Sequence, residues 1–112
     1  MAGAADIVGI DINESKFELA KSFGANFCHN PLKGKDDGRG ELLKRHKWGY
    51  DYTFDCTGNV NVMRTALEVA HRGWGESCVI GVAAAGKEIS TRYFDSNPIK
   101  RQKKLELLRN EM

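Results

Sequence analysis

The sequence predicts an α/β chain organised on a doubly wound parallel sheet, and three observations carry that reading. Short apolar or aromatic runs alternate with stretches of helical spacing; each run gives way to a helix-start residue or a glycine; and the first run, Ile7 to Asn13, holds a carboxylate near its end. In such a sheet the carboxyl ends of the strands face a ligand crevice. Asp11 then stands at the mouth of that crevice, where it can accept hydrogen bonds from both ribose hydroxyls of an adenine dinucleotide. Its charge repels the additional phosphate of NADP, so the polarity expected is NAD.

The 112 residues suffice for one small domain. With 41% apolar residues and a net charge of +2, the composition is that of a folded globular chain and gives no reason to expect nucleic acid as a partner. No apolar run approaches the roughly 20 residues of a membrane span, and no leader pattern opens the chain; the expectation is a cytoplasmic protein without a membrane partner. Cys28, Cys56 and Cys78 are odd in number and form no Cys-x-x-Cys pair, so three reduced, packed thiols are expected rather than a disulfide or a zinc knuckle.

Met1 to Asp6 reads as a frayed helix end or a loop into the first strand. A dinucleotide fingerprint would place its Gly-x-Gly-x-x-Gly turn about 20 residues before the ribose acid. Only ten residues precede Asp11, so the sheet is expected to lack its first strand and its glycine-rich turn. Asn13 is a natural N-cap, Ser15 and Glu18 can form a capping box, and Phe17, Ala20 and Phe23 with Leu19 supply an apolar face up to Gly24. Lys16 falls in the first turn, close enough to bond the same ribose, with a solvated surface lysine as the plainer alternative.

Asn26 to Asn30 is expected as a short strand stopped by Pro31, Lys33 to Gly40 as an exposed mobile loop, and Glu41 to Lys47 as a short basic helix. The Lys44 to Lys47 cluster reads as a solvated face. Tyr50 to Cys56 has the aromatic and β-branched content of a strand, broken by Thr57-Gly58-Asn59. Gly58 permits a close backbone approach near the adenosine, although an ordinary strand-to-helix turn would look the same. Val60, Met63, Leu67 and Ala70 mark an amphipathic helix ending near Gly73, its stripe facing the core. Ser77 to Val82 is a further buried strand, followed by small residues Ala83 to Gly86, and Ile89 to Phe94 could be another. Beyond the Asn97-Pro98 turn, Ile99, Leu105 and Leu108 suggest a basic terminal helix.

Gly9-Ile10-Asp11-Ile12-Asn13 with Lys16-Phe17, Phe54-Asp55-Cys56-Thr57-Gly58-Asn59, and His71 to Ser77 through Ile80 to Gly86 with Glu88 to Arg92 together carry a narrower likeness. Over roughly residues 2 to 93 the chain closely resembles the class III alcohol dehydrogenases of the zinc-dependent medium-chain family. That resemblance implies a partial Rossmann-type NAD-binding domain over residues 1–94, with 95–112 as a divergent basic helical tail. It implies Asp11 as ribose ligand, Lys16 as second ribose contact, Ile12 and Thr57 flanking the adenine with Gly58 beside them, and Ile80, Gly81 and Val82 meeting the nicotinamide carboxamide.

The activity implied is NAD-dependent oxidation of S-(hydroxymethyl)glutathione to S-formylglutathione, by a homodimer acting on a small molecule. Zinc serves this family as a Lewis acid. Neither its catalytic ligands nor the four-cysteine structural lobe has a counterpart here, so the chain is expected to be a fragment, inactive alone. The alternative from another class is a noncatalytic interaction protein that pairs through an exposed sheet edge or the basic tail.

Overall fold

The computed structural model describes residues 3–34 and 38–89 and the backbone of 104–107. The chain divides into two compact units, Met1–Glu41 and Leu42–Met112.

In the first unit β1 (Val8–Ile10) pairs in parallel with β2 (Phe27–His29), with Gly9 opposite Cys28. The connection is a 3-10 turn at Glu14–Lys16 running into α1 (Phe17–Ser22). Asn13 caps it as expected: its side-chain oxygen accepts from the Ser15 N–H at 3.1 Å and from the Ser15 hydroxyl at 2.6 Å. The Ser15 hydroxyl therefore turns back to Asn13 instead of capping towards Glu18. Gly24, at φ 111°, ends the helix in the left-handed region. The two strands are held in register partly by Asn26, whose side chain accepts the Ile7 N–H at 2.8 Å while its own N–H donates to the Ile7 carbonyl.

The apolar face expected on α1 is only half used. Phe17 and Ala20 are half-buried, whereas Leu19 and Phe23 are exposed. One short helix on a two-stranded ladder can cover one face of it and no more. After β2, Pro31 starts a 3-10 turn to Lys33, capped by the Asn30 side chain on the Leu32 N–H. Within the stretch expected as an exposed loop, Gly38 is buried against the His29 ring with φ 77°. α2 (Arg39–Arg45) then begins two residues earlier than expected and ends two residues sooner.

The second unit holds β3 (Tyr52–Asp55), α3 (Val60–Val69), β4 (Glu76–Val79) and β5 (Lys104–Leu107), its strands parallel in the order β3-β4-β5. Asn59 caps α3, accepting from the Asn61 N–H at 2.9 Å. The helix stops at Ala70, short of Gly73, because the chain there turns extended and bridges to Tyr50: the Tyr50 N–H donates to the Val69 carbonyl and the His71 N–H to the Tyr50 carbonyl. His71 then stacks on Trp74 at 3.7 Å, and the Trp74 indole N–H donates to Asp51 at 2.8 Å.

Strand alternation divides the sheet into two faces. Asp55, Ser77 and Val79 point to the α3 side and are buried, and the Thr53 hydroxyl on that side donates to the Ala66 carbonyl at 2.9 Å. Leu42, Met63, Val69 and Ala70 complete this core. Tyr52 and Phe54, on the other face, are each about two-thirds exposed at 66% and 65%. Of the cysteines expected to be packed, Cys28 and Cys78 are half-buried, but Cys56 is exposed because it lies past the end of β3 on the open side; all three are free thiols.

The terminal segment departs most from expectation. Residues 104–107, assigned to an amphipathic helix by the spacing of Leu105 and Leu108, form a strand parallel to β4 with Ser77 opposite Leu105. Lys-Leu-Glu-Leu also alternates with period two, and the unpaired edge of β4 offers it a ladder that a helix would leave open. Ser90 to Phe94, expected within a further strand, lie outside the described residues, and Ile89 is not in a strand.

Met63 is 3% exposed, so Met63→Ala should lower the unfolding free energy by about 2–4 kcal/mol, read from urea denaturation. Two glycine-to-alanine changes should diverge. A methyl on Gly9 would find ordinary contacts at 3.5 Å to Cys28 Sγ and 3.8 Å to Ala20 Cβ, so Gly9→Ala should fold with a midpoint close to the parent. A methyl on Gly81 would run into the Gly58 backbone, and Gly81→Ala should shift the midpoint well downward.

Candidate functional site

The candidate residues gather at the ends of β1, β3 and β4, and after β1 and β3 an asparagine turns the chain from strand to helix. At the end of β1, the Asp11 N–H donates to the His29 carbonyl at 3.2 Å, which fixes the backbone of the acid to the ladder. Asp11 Oδ1 accepts the Asn13 N–H at 2.9 Å, and Oδ2 faces Lys16 Nζ at 3.9 Å. The lysine side chain is 66% exposed and that of Asp11 36% exposed, so their attraction is screened and adds little to stability. Its consequence is orientation: an acceptor and a cation stand side by side on the outside of a strand end. Ile12 beside them is exposed, and its carbonyl accepts from the Asn30 side chain at 3.3 Å.

The ends of β3 and β4 form the second group. The carbonyl of Asp55 accepts from both Ile80 and Gly81, at 2.8 and 3.1 Å, so Ile80 to Val82 leave the ladder as a loop and not, as expected, as the end of a strand. Gly58 has φ 76°, and a Cβ there would lie 2.5 Å from the Val82 carbonyl oxygen. A Cβ on Gly81 would meet the Gly58 backbone and lie 2.9 Å from the Thr57 nitrogen. Two backbones thus touch where any side chain would part them. Thr57 and Val82 are exposed beside this contact, and Ile80 is half-buried.

The residues expected from sequence therefore fall into two groups: Asp11, Ile12 and Lys16 in the first unit, and Thr57, Gly58, Ile80, Gly81 and Val82 in the second. Within each group the structure brings the members together. One buried residue at the end of β3 was not singled out by the sequence reading. Asp55, 1% exposed, accepts the Thr57 N–H at 3.2 Å and the Thr57 hydroxyl at 2.7 Å on Oδ1, and the Thr57 hydroxyl oxygen accepts the Asn59 N–H at 3.0 Å. An Asp-x-Thr-x-Asn spacing at a strand end is the available signal, since each of these side chains can bond the backbone two residues on.

The first unit thus presents a carboxylate and a cation at a strand end, and the second a backbone surface free of side chains. Among the described residues no cluster of three or more His, Cys, Asp or Glu side chains could hold a metal ion. No helix among them is long and apolar enough to cross a membrane.

A family described as zinc-binding dehydrogenases matches residues 1–108. Over 93 residues the chain is 61% identical to the S-(hydroxymethyl)glutathione dehydrogenase of Photobacterium damsela subsp. piscicida and 60% identical to that of Haemophilus influenzae, in each case over 83% of this chain and 25% of the relative. The chain thus spans about a quarter of the length of these relatives. Among solved structures, an alcohol dehydrogenase zinc-binding domain protein from Burkholderia ambifaria superposes with a TM-score of 0.82 at 20% identity, over 96% of this chain and 28% of that one. The benzyl alcohol dehydrogenase of Acinetobacter calcoaceticus gives 0.79 at 23% identity, over 95% of this chain and 28% of that one. These two likenesses establish the fold, a partial Rossmann-like α/β arrangement of parallel strands and helices. With the family match running along nearly the whole chain and the acid, the lysine and the paired glycines at the strand ends, this chain belongs to the zinc-binding dehydrogenase family.

Proposed function

We propose that this chain is part of the NAD-binding domain of an S-(hydroxymethyl)glutathione dehydrogenase, an enzyme that oxidises S-(hydroxymethyl)glutathione to S-formylglutathione, and that it does not catalyse alone. The observation that carries the reading is Asp11 at the carboxyl end of a parallel strand, with Lys16 3.9 Å away. When bound, NAD supplies the hydride acceptor. The chain's own residues bind and orient it. Asp11 accepts the adenosine ribose hydroxyls, Lys16 donates to the same ribose, and Ile12 and Thr57 flank the adenine, with Gly58 leaving room for it. Ile80, Gly81 and Val82 offer backbone groups to the nicotinamide carboxamide.

The described residues offer no zinc site. The complete enzyme, in this reading, is a cytoplasmic homodimer acting on a small molecule, with neither nucleic acid nor membrane as partner.

A second reading, a noncatalytic interaction protein, draws support from the first unit, where β1 and β2 pair only with each other among the described residues. Co-purification with a full-length dehydrogenase subunit would favour it; a folded, strictly monomeric chain would remove it.

The test of the leading reading is a titration of the whole chain with AMP and with adenosine 2′,5′-bisphosphate, followed by amide shifts. AMP should shift the Asp11, Ile12 and Lys16 amides, and the bisphosphate should bind about fivefold more weakly, as expected for roughly 1 kcal/mol of repulsion between charges a few Å apart in water. Asp11→Asn should weaken AMP and abolish the difference between the two ligands. Equal binding of both ligands by the parent would contradict the assignment of Asp11.

A further inference from the structure

Buried carboxylates are uncommon because removing the charge from water is costly unless donors replace the lost hydration. Asp55 is such a group, at 1% exposure on the α3 side of β3. Its two oxygens are used very differently. Oδ1 takes two donors from one residue, the N–H and the hydroxyl of Thr57, and Oδ2 has no hydrogen-bond partner among the described residues. A carboxylate whose purpose was stability alone would be poorly placed here, since an apolar residue of similar volume would leave no polar atom stranded.

What Asp55 does control is the loop beyond it. The Thr57 hydroxyl spends its single hydrogen on Asp55, and its lone pair then receives the Asn59 N–H at 3.0 Å; Asn59 in turn caps α3. Gly58 is held between these two bonds at φ 76°, pressed on the Gly81 and Val82 backbone. The same Asp55 anchors the facing loop through its main-chain carbonyl.

We propose that Asp55 is a positioning residue for adenosine binding: it orients Thr57 through two hydrogen bonds and so sets the Thr57-Gly58 surface on which the adenine rests. The inference depends on the dinucleotide reading above and adds to it a residue that meets no ligand itself.

The experiment uses the whole chain with AMP as probe, combining affinity with exchange of the Thr57 and Asn59 amides. Asp55→Ala should weaken AMP about tenfold, the scale of one lost bond to a charged acceptor, and speed exchange of both amides. Asp55→Asn should restore both, because its amide oxygen can accept the same two donors. Thr57→Val should also weaken AMP, and in the double variant with Asp55→Ala the losses should not add, since both remove one coupling. Wild-type affinity in Asp55→Ala, or additive losses in the double variant, would overturn the proposal while leaving the dinucleotide reading intact. A parent chain whose Thr57 and Gly58 amides ignore AMP would overturn both. Should Asp55→Ala not fold, Thr57→Val tests the bond from its exposed end: an unchanged Asn59 exchange rate there counts against the proposal.

Discussion

The parallel pairing of β3 with β4 is the constraint on which the better-packed half of this chain depends. It runs from Tyr52 opposite Glu76 to Asp55 opposite Val79, and it ends on a single carbonyl that receives two N–H groups. Because that carbonyl belongs to Asp55, the loops after both strands start from one fixed point. Their glycines can then approach until the backbones meet. A parallel ladder leaves both strands pointing the same way, so both loops emerge at the same end. The chemistry of the site is thus a consequence of strand direction before any side chain is considered.

A second regularity lies in the asparagines. Asn13, Asn30 and Asn59 follow β1, β2 and β3, each in extended backbone with φ between −98° and −90°, and each accepting the N–H two residues on. The short polar side chain closes a turn that the backbone alone would leave with free donors. The helices that follow are brief, and only α3 buries a substantial face. Termination is equally local: Gly24 ends α1 with a positive φ, while α3 is ended by its own ladder contact, Tyr50 with Ala70.

Much of this was legible in the residues, and the exceptions share a cause. Strand type, the Asn13 cap and the grouping of Asp11 with Lys16 follow from period, cap chemistry and short separations along the chain, all local properties. The strand at 104–107 was not legible, because its leucines satisfy helical and alternating spacing alike and the open edge of β4, some 25 residues away in sequence, decides between them. The end of α3 at Ala70 was missed for the same reason. Asp55 read as an interior strand residue; its role became visible only when its side chain was found buried with one oxygen on Thr57. Leu19 and Phe23 are exposed on α1, where their spacing alone predicts a buried face.

The division into units has an optical consequence. Both tryptophans, Trp48 and Trp74, and all three tyrosines, Tyr50, Tyr52 and Tyr93, fall after Glu41. Trp74 in particular lies flat on His71 with its N–H on Asp51, so its emission is sensitive to the order of that loop. Met1–Glu41 contains phenylalanine alone among the aromatic trio. Intrinsic fluorescence therefore observes the unit built on β3 and β4, while the unit that carries Asp11 can loosen in the dark.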